Sequence, residues 1–92
     1  MKTIIIKYST SVMVQAGWRS IDILAKAELI GKSEKRCKVI EVLEVDGYSP
    51  DAKSGSRTGA NRQKFCPASI AKRELEAVKI VSKLEVVEDE TV

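Results

Sequence analysis

The sequence predicts an α+β domain: an antiparallel β-sheet, built as a meander or hairpin, followed by a C-terminal α-helix packed on it. Three observations carry that expectation. Ile21, Ile23, Ala25, Ala27 and Leu29 recur at every second position, the period of a half-buried strand. A second apolar run, Val39 to Val45, follows a short polar turn, which is the pattern of a hairpin. After Pro67 the spacing becomes helical, through Ile70, Ala71, Glu74, Leu75, Ala77, Val78, Val81 and Leu84.

The elements follow in order. Thr3 to Tyr8 is β-branched and aromatic and suits a pleated surface. Val12-Met13-Val14 continues it after a polar Ser-Thr-Ser break, and Gly17 punctuates. Trp18 to Ile30 has two readings. Alternation favours a strand, while Ala, Leu, Lys and Glu favour a helix by propensity. The strand is preferred, because Glu28 interrupts the helical stripe. Gly31-Lys32-Ser33-Glu34-Lys35 is a polar turn. In the next strand Cys37, Val39, Leu43 and Val45 share one face, with Glu41 as the exception, and Ile40 and Val42 take the other. Apolar residues on both faces call for cover on both, as in a central strand or one whose outer face meets another subunit. Asp46-Gly47-Tyr48-Ser49-Pro50 stops the strand, since proline cannot continue a ladder. Residues 49–64 form a basic, glycine-containing loop bracketed by Tyr48 and Phe65, for which hydrophobic anchors pinning its ends are preferred over stacking platforms. Pro67 suits a first helical position, and the helix is expected to run to about Ser82. Glu85-Val86-Val87 adds a short last strand within an acidic tail, 85–92.

Composition bounds the function. Ninety-two residues make a single domain over 1–92, with a thin stability margin that self-association would widen. Hydrophobic residues are 43% and charged residues 32%, a folded, soluble composition. No apolar run approaches a membrane span, and the start lacks a signal-peptide core, so a cytoplasmic protein is expected. Histidine is absent, which removes Ser–His and Cys–His nucleophilic chemistry. Cys37 and Cys66 lack metal-ligand spacing; one disulfide between them is open, but two reduced, small buried side chains is the preferred reading. No catalytic residue, metal site or cofactor motif is expected, and a binding protein is favoured over an enzyme.

Net charge is only +3, but it is unevenly spread. Ala52 to Arg73 contains no acid and carries Lys53, Arg57, Arg62, Lys64, Lys72 and Arg73. Within it, Gly55 and Gly59 allow N–H groups to converge on an anion. Ser56 and Thr58 add hydroxyls, and Arg57 and Arg62 offer planar forks for phosphate. Asn61 and Gln63 can read hydroxyls or base edges. The segment is not a P-loop; its bland reading is a solvated basic loop. Trp18 could stack on a base with Arg19 on phosphate, although a core or interface tryptophan capping the hairpin is preferred. Lys79 and Lys83, one helical turn apart, could face the same ligand, although a solvated helix face is preferred. The candidate ligand contacts are thus Arg57, Thr58, Gly59, Asn61, Arg62, Gln63, Lys79, Lys83, Trp18 and Arg19.

This layout resembles the phage Thoeris anti-defence family of small sponge proteins. The likeness rests on Trp18-Arg19 opening a hairpin, Val39 to Gly47 as its second arm, and Thr58-Gly59-Ala60-Asn61-Arg62-Gln63 leading into Ile70-Ala71-Lys72-Arg73-Glu74. It implies sequestration, without cleavage, of a cyclic ADP-ribose isomer, and in some members of cyclic oligonucleotides. It implies homo-oligomers with ligand sites at subunit boundaries, acting in the host cytoplasm. Asn61 and Arg62 would then be loop contacts. Lys79 and Lys83 would take the places of basic helix residues, as point charges rather than forks. Two other readings stand beside it: a nucleic-acid-binding module, made less attractive by few stacking platforms, and an inhibitor acting through protein contact.

Overall fold

The computed structural model describes residues 2–14, 17–33, 35–52, 55–56 and 64–89. Three long strands come first: β1 (Thr3–Val14), β2 (Gly17–Ile30) and β3 (Arg36–Val45). Two short pieces, β4 (Gly55–Ser56) and β5 (Lys64–Phe65), pair with one another. Helix α1 (Pro67–Glu74), β6 (Val78–Ile80), a 3-10 turn (Val81–Lys83) and β7 (Glu85–Asp89) complete the chain. The main sheet is antiparallel in the order β6-β3-β2-β1-β7. No helix among the described residues is long and apolar enough to cross a membrane.

The strand reading of Trp18 to Ile30 holds. Ile21, Ile23, Ala25 and Ala27 are fully buried, while Ser20 and Asp22 are exposed. The polar Ser9-Thr10-Ser11 stretch does not break β1. Its Ser9 hydroxyl donates to Asp22 Oδ1 at 3.0 Å across the exposed face, so polar residues serve a strand whose other face is buried.

β3 corrects the face assignment. Ala27 pairs with Val39, Lys26 with Glu41, Ala25 with Val42 and Leu24 with Glu44. Ile40 and Leu43 are therefore extra residues, each bulged out of the ladder. Every bulge shifts the alternation by one, so the buried set becomes Cys37, Val39, Val42 and Val45. Leu43 is only half-buried, Ile40 is exposed, and Glu41 is no longer an exception. Strict period two placed Leu43 inside and Val42 outside; two bulges reverse them.

The helix assignment is also corrected. α1 starts at Pro67 as expected but ends at Glu74, not Ser82, and strands follow it. Leu75 is extended and Glu76 sits at φ 66°. There the chain turns onto β3. Glu76 N–H donates to Val39 O (2.8 Å), and Val39 N–H donates to Ala77 O (2.9 Å). The β-branched Val78 and Ile80 then extend the sheet beside Arg36, Cys37 and Lys38. An available strand edge outweighs helical spacing.

The last turn dictates the curvature. β6 and β7 lie on opposite edges, four strand spacings apart, or about 19 Å in a flat sheet. Five Cα steps, from Ile80 to Glu85, reach about 18 Å at full stretch, and the two ends are also offset along the strands. The sheet must curl, and it forms a half-barrel. Ile4, Ile6, Val12, Ile21, Ile23 and Val39 fill the concave side under Phe65, Ile70 and Ala71. The molecule measures 45 × 21 × 19 Å. β7 stops beside Lys7 on β1, and β3 stops beside Ile23 on β2. The rest of the β1–β2 hairpin projects as a two-stranded arm.

Candidate ligand-binding site

The basic segment leaves and rejoins the body through fixed ends. β4 pairs with β5, with Gly55 opposite Phe65 and Ser56 opposite Lys64. The expected loop 49–64 therefore includes a paired strand piece. Ala68 N–H donates to Ala52 O at 2.9 Å, tying the entry to the first turn of α1. Phe65 is buried and meets Tyr48 edge to face, with ring centroids 5.7 Å apart, so the two aromatics act as the expected anchors. Arg57, Thr58, Gly59, Asn61, Arg62 and Gln63 lie outside the described residues.

The remaining candidates do not converge. Trp18 pairs with Met13 at the end of the arm and is 72% exposed. Arg19 pairs with Val12. Successive strand residues point to opposite faces, so Trp18 and Arg19 cannot stack on and grip one small ligand from the same side. Arg19 shares the concave face with buried Val12 and Ile21, and its Nε is buried without a hydrogen-bond partner among the described residues. Lys79 and Lys83 do not share a helix face: Lys79 is on β6 opposite Cys37, and Lys83 ends the 3-10 turn. Lys79 lies at the opposite end of the sheet from Trp18.

Lys79 belongs to a partly buried cluster around Glu74 that the sequence reading missed. Glu74, on the inner face of α1, is 6% exposed. Tyr8 Oη donates to its Oε1 (2.8 Å), Lys79 Nζ lies 3.5 Å from the same oxygen, and Arg73 Nε reaches Oε2 at 3.3 Å. The Lys79 ammonium also sits 4.7 Å from the centre of the Tyr8 ring. Arg73 continues to Thr10 Oγ1 (3.1 Å) and Ser11 O (3.4 Å), joining α1 to the arm. Burial pushes the Tyr8 hydroxyl far above the usual tyrosine range, and its bond to Glu74 adds to the rise. The only signal in the sequence was a glutamate in an otherwise apolar helical stripe. Its partners come from strands distant in sequence, so spacing could not reveal them. Each of Glu74's neighbours gives the carboxylate a hydrogen bond or a countercharge, which is the pattern of a structural clamp joining α1, β1 and β6.

The cysteines differ. Cys37 is fully buried, and burial pushes its thiol up although Lys79 opposes the rise. Cys66, read as buried, is only partly so; the Ser69 hydroxyl and main chain draw its thiol down. Alkylation with iodoacetamide near neutral pH is expected to label Cys66 well before Cys37, since thiolate is the reactive form. Peptide mapping showing equal labelling in the folded protein would contradict this placement.

Compared with family models, with curated proteins and with solved structures, the chain matches none of them.

Proposed function

We propose that the protein is a non-catalytic binding protein that sequesters a phosphorylated, nucleotide-type small molecule, a cyclic ADP-ribose isomer or cyclic oligonucleotide, and so blocks a bacterial antiphage defence. The observation that carries this reading is the acid-free, six-cation stretch from Ala52 to Arg73, whose loop portion is bracketed by the β4–β5 pairing and the Ala52–Ala68 bond, while Arg73 at its far end is held by Glu74. Fastened ends lower the ordering cost of gripping a ligand. Arg19 supports it from the concave face of the arm, where its Nε is buried without a hydrogen-bond partner among the described residues. The family likeness supplies the ligand's identity and the immune context. Cytoplasmic action and a homo-oligomeric assembly belong to the same proposal.

The test is native mass spectrometry of the protein after incubation with cyclic ADP-ribose isomers, followed by denaturation and analysis of the released ligand. Stoichiometric retention and return of the intact molecule are expected. Recovery of a linear or dephosphorylated product would defeat the reading. Arg62→Ala is expected to abolish retention while changing the melting temperature by less than about 2 °C, as for an exposed substitution. A large drop in melting temperature would make Arg62 structural.

A further inference from the structure

The outer edge of β3 is covered at both ends and open in the middle. Val39 bonds through its main chain to Glu76 and Ala77, and Val45 to Tyr48. Their opposites on β2 are Ala27 and Ile23, and Ala25, between those two, is opposite Val42. Positions two apart on a strand turn their main-chain groups the same way. Val42 therefore faces outward as Val39 and Val45 do, and the two bulges space the three residues three apart. The outward N–H and C=O of Val42 meet no partner among the described residues. The gap between Tyr48 and Ala77 covers the positions level with Leu24, Ala25 and Lys26, which is three residues, or about 10 Å, of extended chain.

A groove of about 660 Å³ lies along this gap. One wall is β3 from Ile40 to Leu43. The other is Ala68, Ala71 and Lys72 of α1, with Leu75 just beyond it. A second hollow continues it past Lys72 and Leu75 to Lys38 and Glu76. Ile40 and Leu75 are exposed apolar side chains on the rim. The two ends differ in charge. Asp51 lines the end near Tyr48, where Ala68 N–H is tied to Ala52 O. At the other end Lys38 and Lys72 outnumber Glu76. Glu41, midway, is level with Lys26 on β2.

We propose that this groove is a strand-addition site for an apolar peptide C-terminus: three extended residues pair antiparallel with β3 through Val42, their carboxylate toward Lys38 and Lys72. An open donor and acceptor on one residue select a peptide main chain, and the walls select its side chains. The central residue exchanges both bonds with Val42 and turns its side chain to the concave side, where Ala68 and Ala71 leave room. Its two neighbours turn the other way, beside Leu43 and Ile40. Charge sets the direction, because only an antiparallel chain brings its carboxylate to the lysines and its preceding residue to Asp51. The Glu76–Ala77 turn blocks the edge beyond the third residue, so a chain end fits and a passing strand does not. None of this rests on the proposed phosphorylated ligand.

The probe is acetyl-Lys-Val-Val-Val with a free carboxylate, titrated into the ¹⁵N-labelled protein up to about 1 mM, the range of weak binding. Before peptide is added, the Val42 amide is expected to exchange with deuterium at least tenfold faster than those of Val39 and Val45. With peptide its resonance is expected to shift saturably and its exchange to slow at least tenfold. Methylating the central valine nitrogen deletes the donor to Val42 O and is expected to abolish binding. Amidating the carboxylate is expected to weaken binding at least threefold, as is Lys72→Glu, an exposed change that leaves the fold intact. A Val42 amide protected before peptide is added overturns the open edge. Saturation that leaves Val42 unmoved, or no saturation, overturns the site. An N-methylated peptide that binds as well as its parent, or N-acetylvaline amide that binds as tightly as the tetrapeptide, overturns strand addition. Equal affinity of the amidated peptide overturns the C-terminal reading.

Discussion

Replacing Glu74 with alanine is expected to lower the unfolding free energy by about 3 kcal/mol, the lower part of the range for breaking a buried ion pair. The lower part applies because Arg73 and Lys79 remain partly solvated, with side chains 46% and 30% accessible. Even so, this is a large share of a margin of about 5–15 kcal/mol. The alanine strands a tyrosine hydroxyl and leaves two cations facing each other without their anion. Glu74→Gln keeps an acceptor for Tyr8 and is expected to cost less. Tyr8→Phe removes one hydrogen bond, worth about 1 kcal/mol. Urea unfolding of the three variants gives the order. Equal stability of Glu74→Ala and wild type would show that the cluster is not a clamp. The same site contributes a pH dependence in the alkaline range. Tyr8 holds its proton more tightly when folded than when unfolded. Its contribution is therefore fully present below the ordinary tyrosine value near 10 and declines as pH rises above it. Stability of the wild type between pH 9 and 11 should fall more steeply than that of Tyr8→Phe.

The antiparallel sheet was legible because β2 shows period two in its buried residues, Ile21 to Ala27. The helix start was legible because Pro67 and Ile70-Ala71 are local signals. What escaped was settled by contacts remote in sequence. The end of α1 depends on the free main chain of Val39, and nothing between Leu75 and Ser82 announces it. The return of β7 to β1 pairs Glu85 with Lys7, a link that no periodicity encodes. The tail's opening is thus an edge strand as far as Asp89. Of the candidate site, the anchors Tyr48 and Phe65 were legible as aromatics bracketing a polar run, and the edge-to-face contact with Phe65 buried decides for anchoring over stacking. The separation of Trp18 from Arg19 follows from strand alternation once the strand is accepted. The Lys79–Lys83 pairing failed with the helix that supported it.

The bulges in β3 give the second large effect, and a contrast that strict alternation would invert. Val42→Asp is expected to unfold the protein, at a cost above about 4 kcal/mol, because an unpaired carboxylate would enter the concave core. Val39→Asp should do the same, since Val39 is fully buried and its peptide groups also carry the chain from α1 into β6. Leu43→Asp, one residue from Val42, should be tolerated with a loss nearer 1 kcal/mol, because the bulge leaves that side chain half-exposed. Had period two run unbroken from Cys37 to Val45, Leu43 would occupy the core and Val42 the outer face. Thermal unfolding of the two single variants therefore reads the register directly. A folded Val42→Asp beside an unfolded Leu43→Asp would remove the bulges.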